Sequence, residues 1–205
     1  MHDNALTKEA ALLFPLLSKF KPFYLVGGTA LALQIGHRVS LDFDLFSYDD
    51  LPEGLLQKIK RMFPDSKREV TLRTQEQINI LIDGIKTTFF QYPYKPVLPF
   101  VEYKTVPLAS VQEIAAMKAF AIGKRLSYKD YIDWYFLLRE GHINLKEIIT
   151  IANEKYGGDF NDRLFLEQLA SLSDIQTAEI DFLRDPIERR TLEDFLNQTV
   201  RDFEF

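Results

Sequence analysis

Two aspartates separated by one residue, Asp42 and Asp44, are the side chains of this sequence best suited to metal chemistry. In a β-strand, residues i and i+2 point to the same face, with their Cα atoms ~6.5 Å apart. Two carboxylates placed in this way can hold Mg²⁺ or Mn²⁺, because such a cation prefers oxygen ligands and fills its remaining positions with water or phosphate oxygens. The alternative interpretation of an isolated Asp-x-Asp pattern is a solvent-exposed strand face.

A glycine turn lies upstream of the aspartates and could hold phosphate. Gly27 and Gly28 follow a short apolar run and precede a predicted helix. Glycine lets the backbone approach a ligand without a Cβ in the way. We expect the N–H groups of Thr29 and its neighbours to face an anion at the start of that helix. The Thr29 hydroxyl could bind phosphate or simply cap the helix, of which Thr29 is the predicted N-cap.

Polar residues just before the aspartates extend the same candidate site. The alternation of apolar and polar residues predicts a strand over residues 39–46, with Ser40 on the face of the two aspartates. Arg38 joins that face if the strand begins earlier, and it could bind phosphate or form a surface ion pair. His37 is interpreted as a turn residue rather than a ligand. The opposite face is predicted to enter the core through Leu41, Phe43 and Leu45.

The elements that must position these residues change character along the chain. Apolar periodicity predicts helices over residues 6–20, 29–35 and 51–63, and strands over residues 23–26, 39–46, 67–74, 77–82, 85–92 and 101–105. Asp83-Gly84 between two of these strands predicts a tight hairpin. Beyond Pro107 the pattern becomes helical, with helices over residues 110–123, 129–139, 145–156, 160–172 and 187–201. We therefore predict an α+β fold, with an α/β core at residues 1–105 and a helical subdomain at residues 106–205 that completes a cleft.

Composition places the chain among globular proteins. Apolar residues make up 46% and charged residues 27% of the 205 residues, and cysteine is absent. No run approaches the about 20 apolar residues that a membrane span needs, and the N-terminus does not resemble a signal peptide, so we expect a cytoplasmic protein without membrane contact. Residues 154–205 carry 13 acidic and 6 basic side chains, whereas the remainder is slightly basic. Charge alone neither requires nor excludes a nucleic-acid partner.

Two groups of residues resemble one known family. The first motif of the AbiEii/AbiGii group of polymerase-β-like nucleotidyltransferases is similar to GGTALAL at 27–33 and HRVSLDFDLF at 37–46. The downstream helices of that group are similar to MKA at 117–119, KR at 124–125 and KDYIDWY at 129–135. The two motifs stand in the expected order and cover about residues 23–139.

The resemblance implies a role for each matched residue. Asp42 and Asp44 would bind the catalytic metal, and the triphosphate would lie on the glycine turn, contacting Gly27, Gly28, Thr29, Arg38 and Ser40. Lys118 would neutralise phosphate charge in the transition state, and Asp130 would activate the acceptor or orient Lys118. On the residues alone, Lys118 could equally be a helix residue whose ammonium reaches solvent. Asp130 could equally form a capping box with Ser127, with Asp133 in a supporting position.

The resemblance also implies an activity: transfer of a nucleoside monophosphate from a nucleoside triphosphate to an RNA acceptor, which the family resemblance suggests is tRNA. The protein would be the toxin of a toxin–antitoxin or phage-defence system, with an antitoxin as its partner. A basic cluster could guide the RNA backbone and comprises Lys118, Lys124, Arg125 and Lys129. Two alternatives are transfer to a small molecule or protein, and nucleotide binding without catalysis.

One position departs from the family pattern. Many polymerase-β-like enzymes carry a third carboxylate on a later strand, where this chain has Thr88. Asp83 and Glu102 lie elsewhere and are not obvious substitutes. Aromatic residues are expected mainly in the core, although Tyr92 and Tyr94 could stack on a base near the cleft.

Overall fold

A mixed β-sheet forms the centre of the molecule. The computed structural model describes residues 1–122, 124, 127–173 and 175–204. Across these ranges the sheet has seven strands in the order β3-β4-β5-β2-β1-β7-β6. The strands are β1 (Tyr24–Val26), β2 (Phe43–Ser47), β3 (Arg68–Arg73), β4 (Gln77–Ile82), β5 (Ile85–Gln91), β6 (Val101–Tyr103) and β7 (Val106–Leu108).

Strand β2, which carries Asp44, lies in the middle of this sheet. It pairs antiparallel with β1 and parallel with β5, so its backbone groups are hydrogen-bonded on both sides. Phe43 and Leu45 are fully buried, as the alternating pattern predicts. In the parallel pair Asp44 is aligned with Thr88, so a hydroxyl residue lies beside Asp44 on the strand where the resemblance led us to expect a third acid.

Helices cover the sheet and form most of the C-terminal half. They are α1 (Lys8–Leu13), α2 (Gly27–Ile35), α3 (Leu55–Met62), α4 (Val111–Ala121), α5 (Tyr128–Arg139), α6 (Leu145–Tyr156), α7 (Asp162–Leu169) and α8 (Arg189–Arg201). The predicted helix over residues 6–20 is wrong in its C-terminal half. Pro15 interrupts the run, because proline lacks an N–H and crowds the preceding turn, and residues 14–19 form a 3-10 helix instead.

The boundaries around the candidate site differ from the prediction. Helix α2 begins at Gly27 with Val26 as its N-cap, so Thr29 lies inside the helix and does not cap it. Strand β2 begins at Phe43 rather than residue 39, so Asp42 precedes the strand. Leu41 is 49% exposed and does not enter the core. The segment before β2 has other backbone partners instead of the sheet: Val39 N–H donates to the Asp181 carbonyl, and Ser40 N–H donates to the Ala5 carbonyl.

The predicted hairpin and the mixed α+β class are confirmed. Ile82 pairs with Ile85, and both turn residues, Asp83 and Gly84, have positive φ, as a two-residue turn of this kind requires. The division of the chain at residue 105 stays a prediction, and β7 lies beyond that residue while pairing with β1 inside the sheet. Within the described residues, no helix combines the length and apolar character that crossing a bilayer requires.

Candidate active site

The start of α2 brings the backbone against two charged side chains. Gly27 has φ +70°, and a Cβ at this position would lie 2.7 Å from Asp44 Oδ2. A Cβ on Gly28 would collide with Arg38 Nη2 and also contact Ser40 Oγ at 3.5 Å. Glycine at both positions therefore leaves room for a carboxylate and a guanidinium to approach the first turn of the helix.

Thr29 ties this helix to the segment that carries the aspartates. Its hydroxyl shares a 2.7 Å hydrogen bond with the Ser40 hydroxyl and donates to the backbone carbonyl of Asp42. Thr29 is 2% exposed, so these contacts replace the capping role that the sequence suggested. Their effect is to fix the path of the chain into β2 and hence the position of Asp42.

One polar cavity of about 200 Å³ gathers most of the predicted site. Both metal-binding candidates line it, and so do residues of the glycine turn and of α5. The predicted residues around it are Gly28, Thr29, Arg38, Ser40, Asp42, Asp44 and Asp130, with Lys129 and Ser127 beside them. Gly27 and Lys118 line an adjacent cavity that shares Asp44 with the first. The structure thus brings all nine predicted residues to two neighbouring cavities that meet at Asp44.

A buried charge cluster beneath these cavities connects the segment after α2 with α4 and α5. Its centre is Asp133, which is fully buried. Arg38 donates to Asp133 from Nε at 2.7 Å and from Nη2 at 3.1 Å, and His37 Nε2 lies 2.7 Å from the same carboxylate. Lys118 Nζ lies 2.6 Å from Asp133 and 2.5 Å from Asp130. We call these five residues the Asp133 cluster.

The protonation states of the Asp133 cluster follow from its geometry. Burial disfavours a charge on Asp133, but Arg38, Lys118 and His37 outweigh it and hold the pKa of that carboxyl well below its usual range. Burial opposes the charge on Arg38 as well, yet Asp133 and Asp130 raise its pKa. Burial lowers the pKa of His37. A neutral His37 that donates from Nε2 leaves Nδ1 as an acceptor, in agreement with Nδ1 lacking a hydrogen-bond partner.

Several sequence interpretations change in this light. His37 lies in the bend after α2, in agreement with its interpretation as a turn residue, and it is also a buried partner of Asp133. Arg38 forms a buried ion pair rather than a surface one. Lys118 is 4% exposed, so it neither extends into solvent nor belongs to a surface basic cluster. The Ser127 side chain makes no capping hydrogen bond in the described first turn of α5, so the capping box is not formed. Arg125 lies outside the described residues.

The central place of Asp133 was not predicted, because two of its partners, Arg38 and His37, stand 95 and 96 residues away in the chain. The spacing of Asp130 and Asp133 on one helix face was the available signal, and it indicated only a supporting position.

The carboxylate pair fits a divalent cation. Asp42 is exposed and Asp44 is half-buried, and both line the same cavity. Because residue 27 is glycine, it places no side chain against Asp44 Oδ2. The described residues contain no group of three or more His, Cys, Asp or Glu that could hold a metal. One or two carboxylates together with substrate phosphates are a ligand set that Mg²⁺ commonly takes.

The second cavity is smaller and mainly apolar. It has a volume of about 180 Å³ and lies between the sheet and α4. Asp44, Gly27 and Lys118 border it together with apolar and aromatic side chains. We call this cavity the apolar slot.

Comparisons with known proteins agree on the fold. A candidate nucleotidyltransferase from Helicobacter pylori superimposes with a TM-score of 0.62 at 16% identity, covering 95% of this chain and 94% of that one. The nucleotidyltransferase toxin MenT4 from Mycobacterium tuberculosis superimposes with a TM-score of 0.61 at 16% identity, covering 94% and 81%. At these identities the likeness establishes the polymerase-β-like fold that the sequence predicted.

Sequence comparison identifies the family. An uncharacterized protein of Aquifex aeolicus is 32% identical over 185 residues, which span 88% of this chain and 87% of that protein. Residues 11–204 match the family described as "Nucleotidyl transferase AbiEii toxin, Type IV TA system". The resemblance noted in the two motifs therefore extends over nearly the whole sequence, and the chain belongs to the AbiEii family of nucleotidyltransferase toxins.

Proposed function

We propose that this nucleotidyltransferase transfers a nucleoside monophosphate from a nucleoside triphosphate to an RNA acceptor, tRNA in particular, with the help of Mg²⁺ or Mn²⁺. One observation carries the proposal: Asp42 and Asp44 share a cavity with Gly28 and Thr29 of the first turn of α2. A carboxylate pair that can hold a cation thus lies beside a helix start that can hold phosphate.

The reaction forms one bond and breaks one. The oxygen of an acceptor hydroxyl bonds to the α-phosphorus, the bond between the α- and β-phosphates breaks, pyrophosphate leaves, and the hydroxyl proton passes to water or a carboxylate. In this scheme Asp42 and Asp44 would hold the metal ion, which would stabilise negative charge on the phosphates. The backbone of Gly27, Gly28 and Thr29 positions the triphosphate, with Ser40 and Arg38 at its edge.

The contacts of Lys118 support an orienting role for Asp130. The ammonium is held between Asp130 and Asp133 at 2.5 and 2.6 Å, and it borders the apolar slot beside Asp44. A cation fixed in this way is pre-organised to stabilise negative charge that develops on the phosphates. Asp130 then acts on the reaction through Lys118, while it also lines the polar cavity.

Two exposed lysines support an RNA acceptor. Lys129 lines the polar cavity and Lys124 lines the apolar slot, so a cation stands beside each opening. Contacts between lysines and two phosphates predict that log affinity falls with log salt at a slope of about −1.4 for single-stranded RNA. A flat salt response would favour a small-molecule or protein acceptor.

Membership of the family supports a toxin role. The family description names a toxin of a type IV toxin–antitoxin system. We propose that expression of this chain arrests growth and that an antitoxin is its partner. The expected observation is arrest by the wild-type chain, no arrest by an Asp42→Ala variant, and rescue on co-expression of the antitoxin.

The decisive assay supplies the purified protein with Mg²⁺, total cellular RNA and each nucleoside triphosphate labelled at the α-phosphate. We expect a labelled RNA species in the tRNA size range. Asp42→Ala should abolish the label without unfolding the protein, because Asp42 is exposed. Asp65→Ala removes another exposed carboxylate, outside both cavities, and should leave the label unchanged.

Other outcomes point to other functions. Label in a protein or small molecule would show that the acceptor is not RNA. Tight nucleotide binding without transfer to any RNA would indicate lost catalysis, with Thr88 in the place of an acid as the structural reason. Full transfer by Asp42→Ala would show that the metal site is wrongly assigned.

A further inference from the structure

We propose that the apolar slot holds the nucleobase of the nucleoside triphosphate and selects it by size and planarity rather than by hydrogen bonds to its edge. This inference rests on the proposed function, since it assigns the base of the same substrate whose phosphates we place at Gly27 and Asp44. The slot meets the polar cavity at Asp44, so a molecule with phosphates at that residue can extend its other end into the slot.

The sheet wall of the slot follows directly from strand periodicity. Phe46 comes two residues after Asp44, and Phe90 comes two residues after Thr88, so each lies on the same face as its predecessor. Phe46 is aligned with Phe90 in the parallel pair, with ring centroids 5.1 Å apart in an edge-to-face arrangement. The face that begins with a carboxylate and a hydroxyl therefore continues as an aromatic surface.

The opposite wall is one face of α4. Its lining residues are spaced by three, three and one, which keeps them on one side of a helix. They are Ile114, Met117, Phe120 and Ala121. Tyr92 completes the sheet wall, and its ring centroid lies 5.1 Å from that of Phe46. The slot is thus bounded on both sides by apolar groups that can cover the two faces of a flat ring.

The volume of the slot matches a ring-sized ligand. It measures about 180 Å³, and an apolar protein cavity of about 150 Å³ is large enough to bind benzene. A planar heterocycle between aromatic and aliphatic walls gains stacking and dispersion without requiring a particular base.

The described walls of the slot offer little to the edge of a base. The Tyr92 hydroxyl is engaged with the Tyr156 hydroxyl at 2.7 Å, and Lys118 is held by two carboxylates. Lys124 also lines the slot, and its ammonium lies over the Phe120 ring, 3.1 Å from the ring centroid. Strands β2 and β5 each have a hydrogen-bonded neighbour on both sides, so their backbone groups are occupied by the sheet. Asp44 stands at the phosphate end. Tyr94, the other tyrosine expected to stack, donates to Asp159 and is not among the residues that line the slot.

A site of this kind makes a distinctive prediction about selectivity. CTP and UTP are similar in size, but hydrogen-bond donors on the edge of one base stand where acceptors stand on the other. The same holds for ATP and GTP. Sites that hydrogen-bond a substrate reject an analogue without the matching group by about 10⁴–10⁵-fold, whereas apolar pockets discriminate by about 10–200-fold and do so by size. We therefore expect the two members of each pair to be used within about tenfold of one another, whichever size class is preferred.

The test compares all four nucleotides on the wild-type protein. Isothermal titration with Mg²⁺ gives the binding constant of each nucleotide, and the labelled-RNA assay gives kcat/KM. Equal values within CTP–UTP and within ATP–GTP support the slot. A difference above about 100-fold within either pair, in binding and in kcat/KM, would overturn it, because such a ratio exceeds what an apolar pocket supplies for molecules of one size.

Two variants locate the base. Phe46→Ala should raise the KM for every nucleotide about tenfold, with kcat retained, because stacking is lost equally in the ground and transition states. Phe195→Ala truncates another half-buried phenylalanine, on α8, and should leave KM unchanged. Phe90→Ala serves if Phe46→Ala does not fold. An unchanged KM in a folded Phe46→Ala or Phe90→Ala would overturn the assignment.

The two proposals fail in different ways. If no nucleotide is transferred to RNA, the proposed function is wrong, while the binding constants still decide how the base is held. If transfer occurs and the pairs are strongly discriminated, only the slot is wrong. If none of the four nucleotides binds, the assignment of the slot to the nucleobase is wrong.

Discussion

Helix α4 carries two buried charges, five residues apart, that serve different purposes. Lys118 belongs to the Asp133 cluster and borders the apolar slot next to Asp44. Glu113 is 1% exposed and pairs with Lys155 of α6 at 2.7 Å. The Asp133 cluster and the Glu113–Lys155 pair are similarly buried and both contain a lysine–carboxylate ion pair. They differ in what surrounds them.

The Glu113 pair holds a segment of irregular backbone. Glu113 Oε2 accepts hydrogen bonds from the N–H groups of Val97 and Leu98 at 3.1 Å each, and Lys155 donates to the carbonyl of Lys95 at 2.6 Å. This passage contains three prolines and forms no strand, so its polar groups need side-chain partners. Neither Glu113 nor Lys155 lines the polar cavity or the slot.

The comparison shows that a buried ion pair is not by itself a sign of catalysis. Both clusters perturb pKa values: burial lowers the pKa of Lys155, with Glu113 acting against it, and burial lowers that of His37. What distinguishes the Asp133 cluster is its position under two cavities that already contain the glycine turn and the aspartate pair. The cavity, rather than the burial of charge, is the feature that points to function.

The largest expected difference between the clusters is in activity. Lys118→Met should reduce nucleotide transfer by about 10²–10³-fold, the usual effect of removing a pre-organised group that stabilises developing charge. Lys155→Met removes an equally buried lysine and should leave the transfer rate of the folded protein close to wild type. Single-turnover transfer of labelled nucleotide measures both, and equal losses in the two variants would contradict the distinction.

The next effect is on stability. Glu113→Gln leaves Lys155 without its counter-charge, so we expect the free energy of unfolding to fall by about 3 kcal/mol. The double variant Glu113→Gln/Lys155→Met removes both charges and should recover part of this loss. Urea denaturation measures both values. A double variant less stable than Glu113→Gln would show that Lys155 contributes mainly through its contact with the Lys95 carbonyl rather than through the ion pair.

A smaller and more local effect is expected at the glycine turn. Gly27 and Gly141 have nearly the same backbone conformation, with φ of +70° and +69°, but only Gly27 would place a Cβ against another side chain. Gly141→Ala should therefore lose about 1 kcal/mol from backbone strain alone, with activity unchanged. Gly27→Ala should lose more and should also reduce transfer, because Asp44 must move. Equal stability and activity in the two variants would mean that the approach of Asp44 to the turn is unimportant.

The sequence was sufficient for features that depend on neighbouring residues. The turn at Asp83-Gly84 and helix α6 at Leu145–Tyr156 were predicted correctly, because turn chemistry and apolar periodicity determine them locally. Strand β7 was not predicted. It has three residues, includes Pro107, and is stabilised by pairing with β1 and β6 rather than by its own pattern.

The candidate site likewise combines features that the sequence predicts with features that depend on distant contacts. The family motifs identified nine residues that line the two cavities, although their individual roles stay predictions. The start of β2 and the place of Thr29 were wrong, because Thr29 reaches across to Ser40 and Asp42 instead of capping its own helix. The Asp133 cluster could not be assembled from spacing, since its members come from the segment after α2, from α4 and from α5, and they meet only in the folded chain.

The smallest expected effect is the contribution of His37 to the pH dependence of the free energy of unfolding. Burial lowers the pKa of His37 below its ordinary value of 6.5, so the unfolded chain binds a proton at a pH where the folded protein does not. The free energy of unfolding must then fall as pH drops through 6.5 towards the lower folded-state pKa. The low pKa of Asp133 affects stability only below the ordinary value of 3.8, outside this range.

His37→Gln keeps an N–H donor for Asp133 without a titrating ring, so it should lose less stability than the wild type between pH 7.5 and pH 5.5. His142→Gln, which removes a partly exposed histidine paired with Glu140, should follow the wild type. Urea denaturation at the two pH values gives both comparisons. A loss in His37→Gln as large as that in the wild type would mean that His37 binds protons equally in the folded and unfolded chains, so that burial does not lower its pKa.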